Sequence, residues 1–78
     1  MRAEETLAFL AKQLVDEPDA VAVDVIEEDD QTVLELRVAS DDVGKVIGRR
    51  GRTARAIRTV VKAAGALDDE DVQVEIID

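Results

Sequence analysis

The sequence predicts an α+β fold, with three helices packed on one face of a three-stranded mixed sheet in the order α-β-β-α-α-β. Three observations predict it. Three segments alternate apolar and polar residues at the period of two that a half-buried strand needs. Two longer segments space their apolar residues three and four apart, and a short one lies between a cap signal and a glycine. A helical crossover separates the last two strands and so allows parallel pairing, right-handed by the usual rule, while a short turn makes the first two an antiparallel hairpin.

The first helix is predicted over residues 3–16. Leu7, Leu10, Ala11, Leu14 and Val15 form one apolar stripe, and Glu4 and Glu5 suit the positive end of the helix dipole. Pro18 cannot continue a helix and disfavours helical geometry at Glu17. Residues 20–27 read as a strand, with Val21, Val23 and Val25 opposed to Ala22, Asp24 and Ile26. Glu28-Asp29-Asp30-Gln31 is a polar turn, and residues 32–39 form the second strand, with Leu34, Leu36 and Val38 on one face.

Ser40-Asp41-Asp42 supplies side-chain oxygens that suit a helix start, so a short helix is predicted from Asp41 to Ile47, stopped by Gly48. A second basic helix follows from Arg52 to Ala64, with Gly65 as its stop. Its apolar residues are Ala54, Ile57, Val60, Val61 and Ala64. Asp68 to Asp71 is an acidic loop. Val72, Val74 and Ile76 alternate with Gln73, Glu75 and Ile77 as the third strand.

Composition excludes several classes of function. With 78 residues the chain is expected to be a single domain, 1–78, that buries only about 60–65% of its unfolded surface. It has no Cys and no His, so disulfides, zinc sites and catalytic dyads or triads built on those residues are excluded. With one Phe and neither Trp nor Tyr, RNA-binding modules that stack bases on aromatic platforms are excluded too. Carboxylates cluster at turns without a nucleophile or metal partner, so no enzymatic activity and no cofactor are expected. No apolar run approaches the roughly 20 residues of a membrane span. Acids and Lys12 stand where a signal peptide needs an apolar run. A soluble cytoplasmic protein is the expectation.

The net charge of −9 argues at first against nucleic acid. Its distribution argues the other way. Residues 43–67 hold Lys45, Arg49, Arg50, Arg52, Arg55, Arg58 and Lys62 and no acid, a charge of +7. The remaining residues hold all 19 acids and only three bases, a charge of −16. A basic stripe on one loop and helix is an electrostatic footprint for a polyanion.

The centre of that segment runs Gly44-Lys45-Val46-Ile47-Gly48-Arg49-Arg50-Gly51-Arg52-Thr53-Ala54-Arg55-Ala56-Ile57. Gly48 is expected to take the left-handed conformation that closes the short helix, and Gly51 to leave room for a close backbone approach. The N-terminus of the following helix offers free N–H groups to a phosphate. The spacing is wrong for a Walker A loop, and G-x-G-x-x-G is absent. The acid runs Glu27–Asp30 and Asp68–Asp71 lack the alternating ligands of an EF-hand and read as solvated loops.

In that setting the GRRG loop of VIGRRGRTARAIRTVV resembles the loop with which KH domains clamp about four nucleotides of single-stranded nucleic acid. The element order looks like the type II KH arrangement. The whole chain resembles the KhpA family of small bacterial single-KH proteins, most clearly in DVGKVIGRRGRTARAIRTVVKAA and LVDEPDAV. The resemblance implies single-stranded RNA binding by Lys45, Val46, Ile47, Gly48, Arg49, Arg50, Gly51, Arg52, Ala54 and Arg55. Arginines and loop amides would grip the backbone, and Val46, Ile47, Ala54 and Ile57 would floor an apolar groove, although Ile47 and Ile57 fit the core as well as the groove, and Ile57 fits the core better. Many KH domains carry a larger aliphatic residue at the position of Ala54, so the floor here is shallower.

The resemblance further implies a homodimer, a heteromer with a larger KH-containing protein (KhpB-like), and an RNA-chaperone role linked to cell-wall homeostasis and cell shape. The alternative is a KH-fold protein–protein interaction module with little RNA affinity, for which Phe9, Ile26 and Ile77 are candidate exposed apolar residues.

Overall fold

The computed structural model describes residues 1–78. Helix α1 spans Ala3–Leu14, strands β1 and β2 span Ala22–Glu28 and Gln31–Arg37, helices α2 and α3 span Val43–Ile47 and Arg52–Leu67, and strand β3 spans Val72–Ile76. The predicted order and sheet are both found. Strand β2 is central, antiparallel to β1 and parallel to β3.

Register explains the core. Val25, Leu34 and Val74 stand in one row across the sheet, and Val23, Leu36 and Ile76 in another. Because side chains alternate faces along a strand, these rows point the same way. Leu34, Leu36, Val72 and Val74 pack there with Ala3, Leu7 and Ala11 of α1, Val46 of α2, and Ile57 and Val61 of α3. All three helices therefore lie on one face. The other face carries the rows Ile26, Val33, Gln73 and Asp24, Glu35, Glu75. There the Arg37 guanidinium reaches Asp24 at 3.3 Å and Glu35 at 3.6 Å. Of the three apolar residues singled out in advance, Phe9 is 53% exposed, Ile26 is 37% exposed, and Ile77 is half-buried.

Several boundaries differ from the sequence reading. Helix α1 stops at Leu14 because Val15 is already extended, and Pro18–Ala20 form a single 3₁₀ turn that delays β1. The first hairpin needs only Asp29-Asp30 between its strands, with Asp29 at φ 53°. Residues Ser40–Asp42 are a 3₁₀ turn, and α2 proper begins at Val43.

The largest difference is at Gly65, which does not stop α3. The helix runs through it to Leu67. A Cβ on Gly65 would lie 2.5 Å from Cγ2 of Val72, so the missing side chain is what lets α3 settle against the start of β3. The stop comes four residues later, at Asp69, whose φ of 61° is left-handed. The Glu70 amide donates to the Gly65 carbonyl and the Asp69 amide to that of Ala66, which is the Schellman pattern with aspartate in the usual glycine position.

Candidate nucleic-acid interface

Helix α3 is followed by a short loop and then by β3, so it runs antiparallel to β3. Its first turn lies at the Leu36–Ile76 end of the sheet. Its last lies by the acidic loops, where Glu27, Asp29, Asp30, Asp69, Glu70 and Asp71 line one surface depression. Sixteen residues of helix hold the two poles about 24 Å apart.

The loop between α2 and α3 is closed by its own backbone. The Gly48 amide donates to Gly44, the Gly51 amide donates to Gly48 at 3.1 Å, and the Arg52 amide donates to Arg49. Gly48 closes α2 and Gly51 leaves room for approach, as expected, but Gly48 is not in the left-handed helical region. Gly48 has φ 75° and ψ 174°, an extended mirror-image conformation open essentially to glycine alone, and Thr53 fills the space beside it. Gly51 is the left-handed one, at φ 73° and ψ 14°, and a Cβ there would meet nothing within 4 Å. Arg50 is also left-handed, at φ 58° and ψ 25°. Close packing inside the protein is at Gly48, and open approach from outside is at Gly51. With glycine at its N-cap, α3 has no side chain bonded to its first amides.

The cations divide into two groups. Lys45 is held: its ammonium lies 3.2 Å from Asp16 and 3.4 Å from Asp42. Hydrogen bonds to Asp16 and then Asp42, together with their charges, raise its pKa against a smaller opposing effect of burial. Arg49, Arg50, Arg52, Arg55, Arg58 and Lys62 have no carboxylate at ion-pair distance. All of these are exposed except Arg58, which is half-buried. On α3, Arg55, Arg58 and Lys62 line one flank of the buried stripe of Ala54, Ile57, Val61 and Gly65, and Arg52 lies opposite that stripe.

The apolar floor is smaller than the sequence suggests. Val46 is fully enclosed and Ile57 is 4% exposed, both within the core cluster. Ala54 is also buried at 4%, and Ile47 alone of the four keeps a half-exposed side chain. Helical spacing does not distinguish the core side of α2 and α3 from a groove beside it, and the core has taken most of these residues.

Asp42 has a role the sequence did not signal. It sits where a helix cap was expected, yet its side chain caps nothing on its own helix. Its two oxygens accept from the amides of Asp16 at 3.2 Å and Glu17 at 3.1 Å, the first donors left without partners after α1. Burial opposes ionisation of this carboxyl. The two amide bonds, and the Lys45 hydrogen bond and charge, outweigh it and hold the pKa below the ordinary carboxylate value. Asp42 thus ties the α1–β1 connection to the base of the loop-bearing helix pair.

The KhpA/KhpB KH-domain family model matches residues 4–76. The RNA-binding protein KhpA of Borreliella burgdorferi is 54% identical over 74 residues, covering 95% of this chain and 90% of the relative. That of Clostridium perfringens is 49% identical, over 95% and 99%, and that of Streptomyces coelicolor 52%, over 96% and 91%. Among solved structures, an Aquifex aeolicus Era variant bound to GDP·AlF4− superposes with a TM-score of 0.65 at 22% identity, over 95% of this chain and 29% of Era. Era in complex with MgGDPNP and nucleotides 1506–1542 of 16S ribosomal RNA gives 0.60 at 22% identity, over 95% and 28%. The Era likeness concerns the fold alone.

Proposed function

The chain belongs to the KhpA/KhpB KH-domain family, and from that premise we propose that it binds single-stranded RNA through the Gly48–Gly51 loop. Its relatives carry the name RNA-binding protein. The observation that carries the reading is electrostatic. In a chain with 19 acidic side chains, six cations on one loop and the helix that follows it are left without one, and the loop's second glycine is open to approach. Leaving them unpaired has a purpose if a polyanion completes them.

In this mechanism the loop amides and Arg49, Arg50 and Arg52 hold phosphates, and Arg55 adds a contact at the edge. Ile47 offers half-exposed apolar surface next to the loop. Val46 acts by setting the pitch of α2 from within the core. Lys45 reaches RNA only by leaving Asp16 and Asp42. The acidic body repels nucleic acid elsewhere and so directs a strand to the loop. The role is binding rather than catalysis.

The proposal extends, on family resemblance, to an RNA chaperone or post-transcriptional regulator in the cytoplasm, linked to cell-wall homeostasis and cell shape. It extends likewise to a homodimer or a heteromer with a KhpB-like protein. A second reading, an interaction module with little RNA affinity, is favoured by the exposure of Phe9 at 53% and Val60 at 47%. A monomer in size-exclusion chromatography with light scattering, and no partner in pull-downs, would remove it. The test of the main reading is Arg49→Asp with Arg50→Asp. Gel shift with single-stranded RNA should show at least a tenfold loss, and unchanged binding by a folded double variant overturns the loop clamp.

A further inference from the structure

We infer that Arg58 selects the base: its guanidinium, fixed against the edge of β3, favours a guanine or cytosine over an adenine or uracil in the bound strand. The inference rests on the RNA-binding reading above and deepens it.

Arg58 differs from the other free cations. It is the only half-buried one, and the only one with a hydrogen bond from its side chain to the protein: its Nε donates to the Val74 carbonyl at 3.3 Å. No other hydrogen bond or ion pair engages the guanidinium. One donor of five is therefore spent on orientation, and four remain. Strand β3 is an edge strand, and the carbonyl that Arg58 takes is one that no neighbouring strand uses. Arg58 stands on the same side of α3 as Arg55 and Lys62, two turns beyond Gly51.

Orientation is what separates reading from gripping. A mobile, exposed arginine meets any phosphate, and phosphate contacts carry no sequence information. A guanidinium held at one nitrogen presents a fixed donor fork with no acceptor. Such a fork pairs in bidentate fashion only with two adjacent acceptors. Guanine offers O6 and N7, and cytosine offers O2 and N3. Adenine sets an amino donor beside N7, and uracil sets an N–H between its two carbonyls. The competing explanation is that Arg58 merely covers an open sheet edge against pairing with another chain.

Two variants distinguish these. Wild type, Arg58→Lys and Arg58→Gln are titrated by fluorescence anisotropy against nonamers of uridine with one central guanosine, cytidine or adenosine, and against the all-uridine strand. Wild type should prefer the guanosine or cytidine strand by about fivefold or more. Arg58→Lys keeps the charge but loses the fixed donor fork, and should bring the four affinities together. Arg58→Gln offers a donor beside an acceptor and should move the preference to adenosine. Wild type without preference, or variants that keep its preference, overturn the base-selecting role alone. Failure of wild type to bind any strand overturns the RNA-binding reading and this one with it.

Discussion

Thr53 fills the space that a side chain on Gly48 would need. A Cβ on Gly48 would stand 2.6 Å from the Thr53 Cβ, and its hydroxyl oxygen is nearer still. The first residue of the loop and the second of α3 are thereby fitted to each other.

Gly48→Ala accordingly carries two costs. One is a backbone conformation that L residues avoid, of order 1–3 kcal/mol. The other is overpacking against Thr53, of similar size. A loss of about 3 kcal/mol is expected in urea unfolding. Thr53→Gly removes the obstructing side chain but not the backbone strain. The two substitutions should couple by about 1–2 kcal/mol in a double-mutant cycle. Strictly additive effects would show that the space is not shared.

Gly51 should separate folding from binding. Its φ of 73° is left-handed, and nothing lies where its side chain would be. Asparagine tolerates that conformation better than other L residues. Gly51→Asn is expected to stay within about 1 kcal/mol of wild type in stability, yet to lose roughly tenfold in RNA affinity because a side chain now stands in the approach. Unchanged affinity would place the RNA backbone elsewhere.

Gly65→Ala tests the close approach of α3 to β3. Alanine gains about 1 kcal/mol in helix propensity, but its Cβ would lie 2.5 Å from Val72 Cγ2 and 3.3 Å from the Glu70 carbonyl. Overpacking of 1–3 kcal/mol should win, for a net loss of about 1 kcal/mol. Val72→Ala removes the nearest atom, so in that background Gly65→Ala should become neutral or stabilising. A stabilising Gly65→Ala in the wild-type background would show that β3 yields easily.

What the sequence reveals depends on the range of the interaction. The elements and the mixed sheet are legible because period-two and period-3.6 patterns are local. The GRRG loop is legible because two glycines three apart before a basic helix are local as well. That Gly48 closes α2 is legible, but its extended mirror-image backbone beside Thr53 is not, because spacing does not encode that contact. Gly65 looked like a helix stop because its partner, Val72, belongs to another element. Asp42 looked like a cap because its acceptors serve amides 25 and 26 residues away. Arg58 looked like one more cation of the stripe until the Val74 carbonyl set it apart.

The Asp42 carboxylate gives a pH signature. Its pKa is lowered on folding, so the folded state binds fewer protons than the unfolded one near pH 4. The stability it contributes is present above the ordinary value of 3.8 and is lost as pH falls through the lowered one. Asp42→Asn keeps the size but loses an ionised acceptor for the Asp16 and Glu17 amides and a counterion for Lys45. The variant should be less stable than wild type at pH 7, and the gap should narrow steadily below pH 4. A gap independent of pH between 7 and 3 would mean that the contribution is not ionic.

The charge separation predicts an unusual salt dependence. At 0.1 M salt the Debye length is about 10 Å, so an approaching strand senses the unpaired cations of the loop and α3 and little of the acidic pole about 24 Å away. At 0.01 M it is about 30 Å, comparable to the 33 Å length of the molecule, and the strand senses the whole charge of −9. Above 0.1 M, a grip on about four nucleotides should give a log–log slope of affinity against salt of about −2 to −3. Below about 0.03 M, repulsion by the body should flatten or reverse that slope. Anisotropy titrations from 0.01 to 0.3 M read both regimes. A constant negative slope over the whole range would show that the acidic body does not influence where RNA binds.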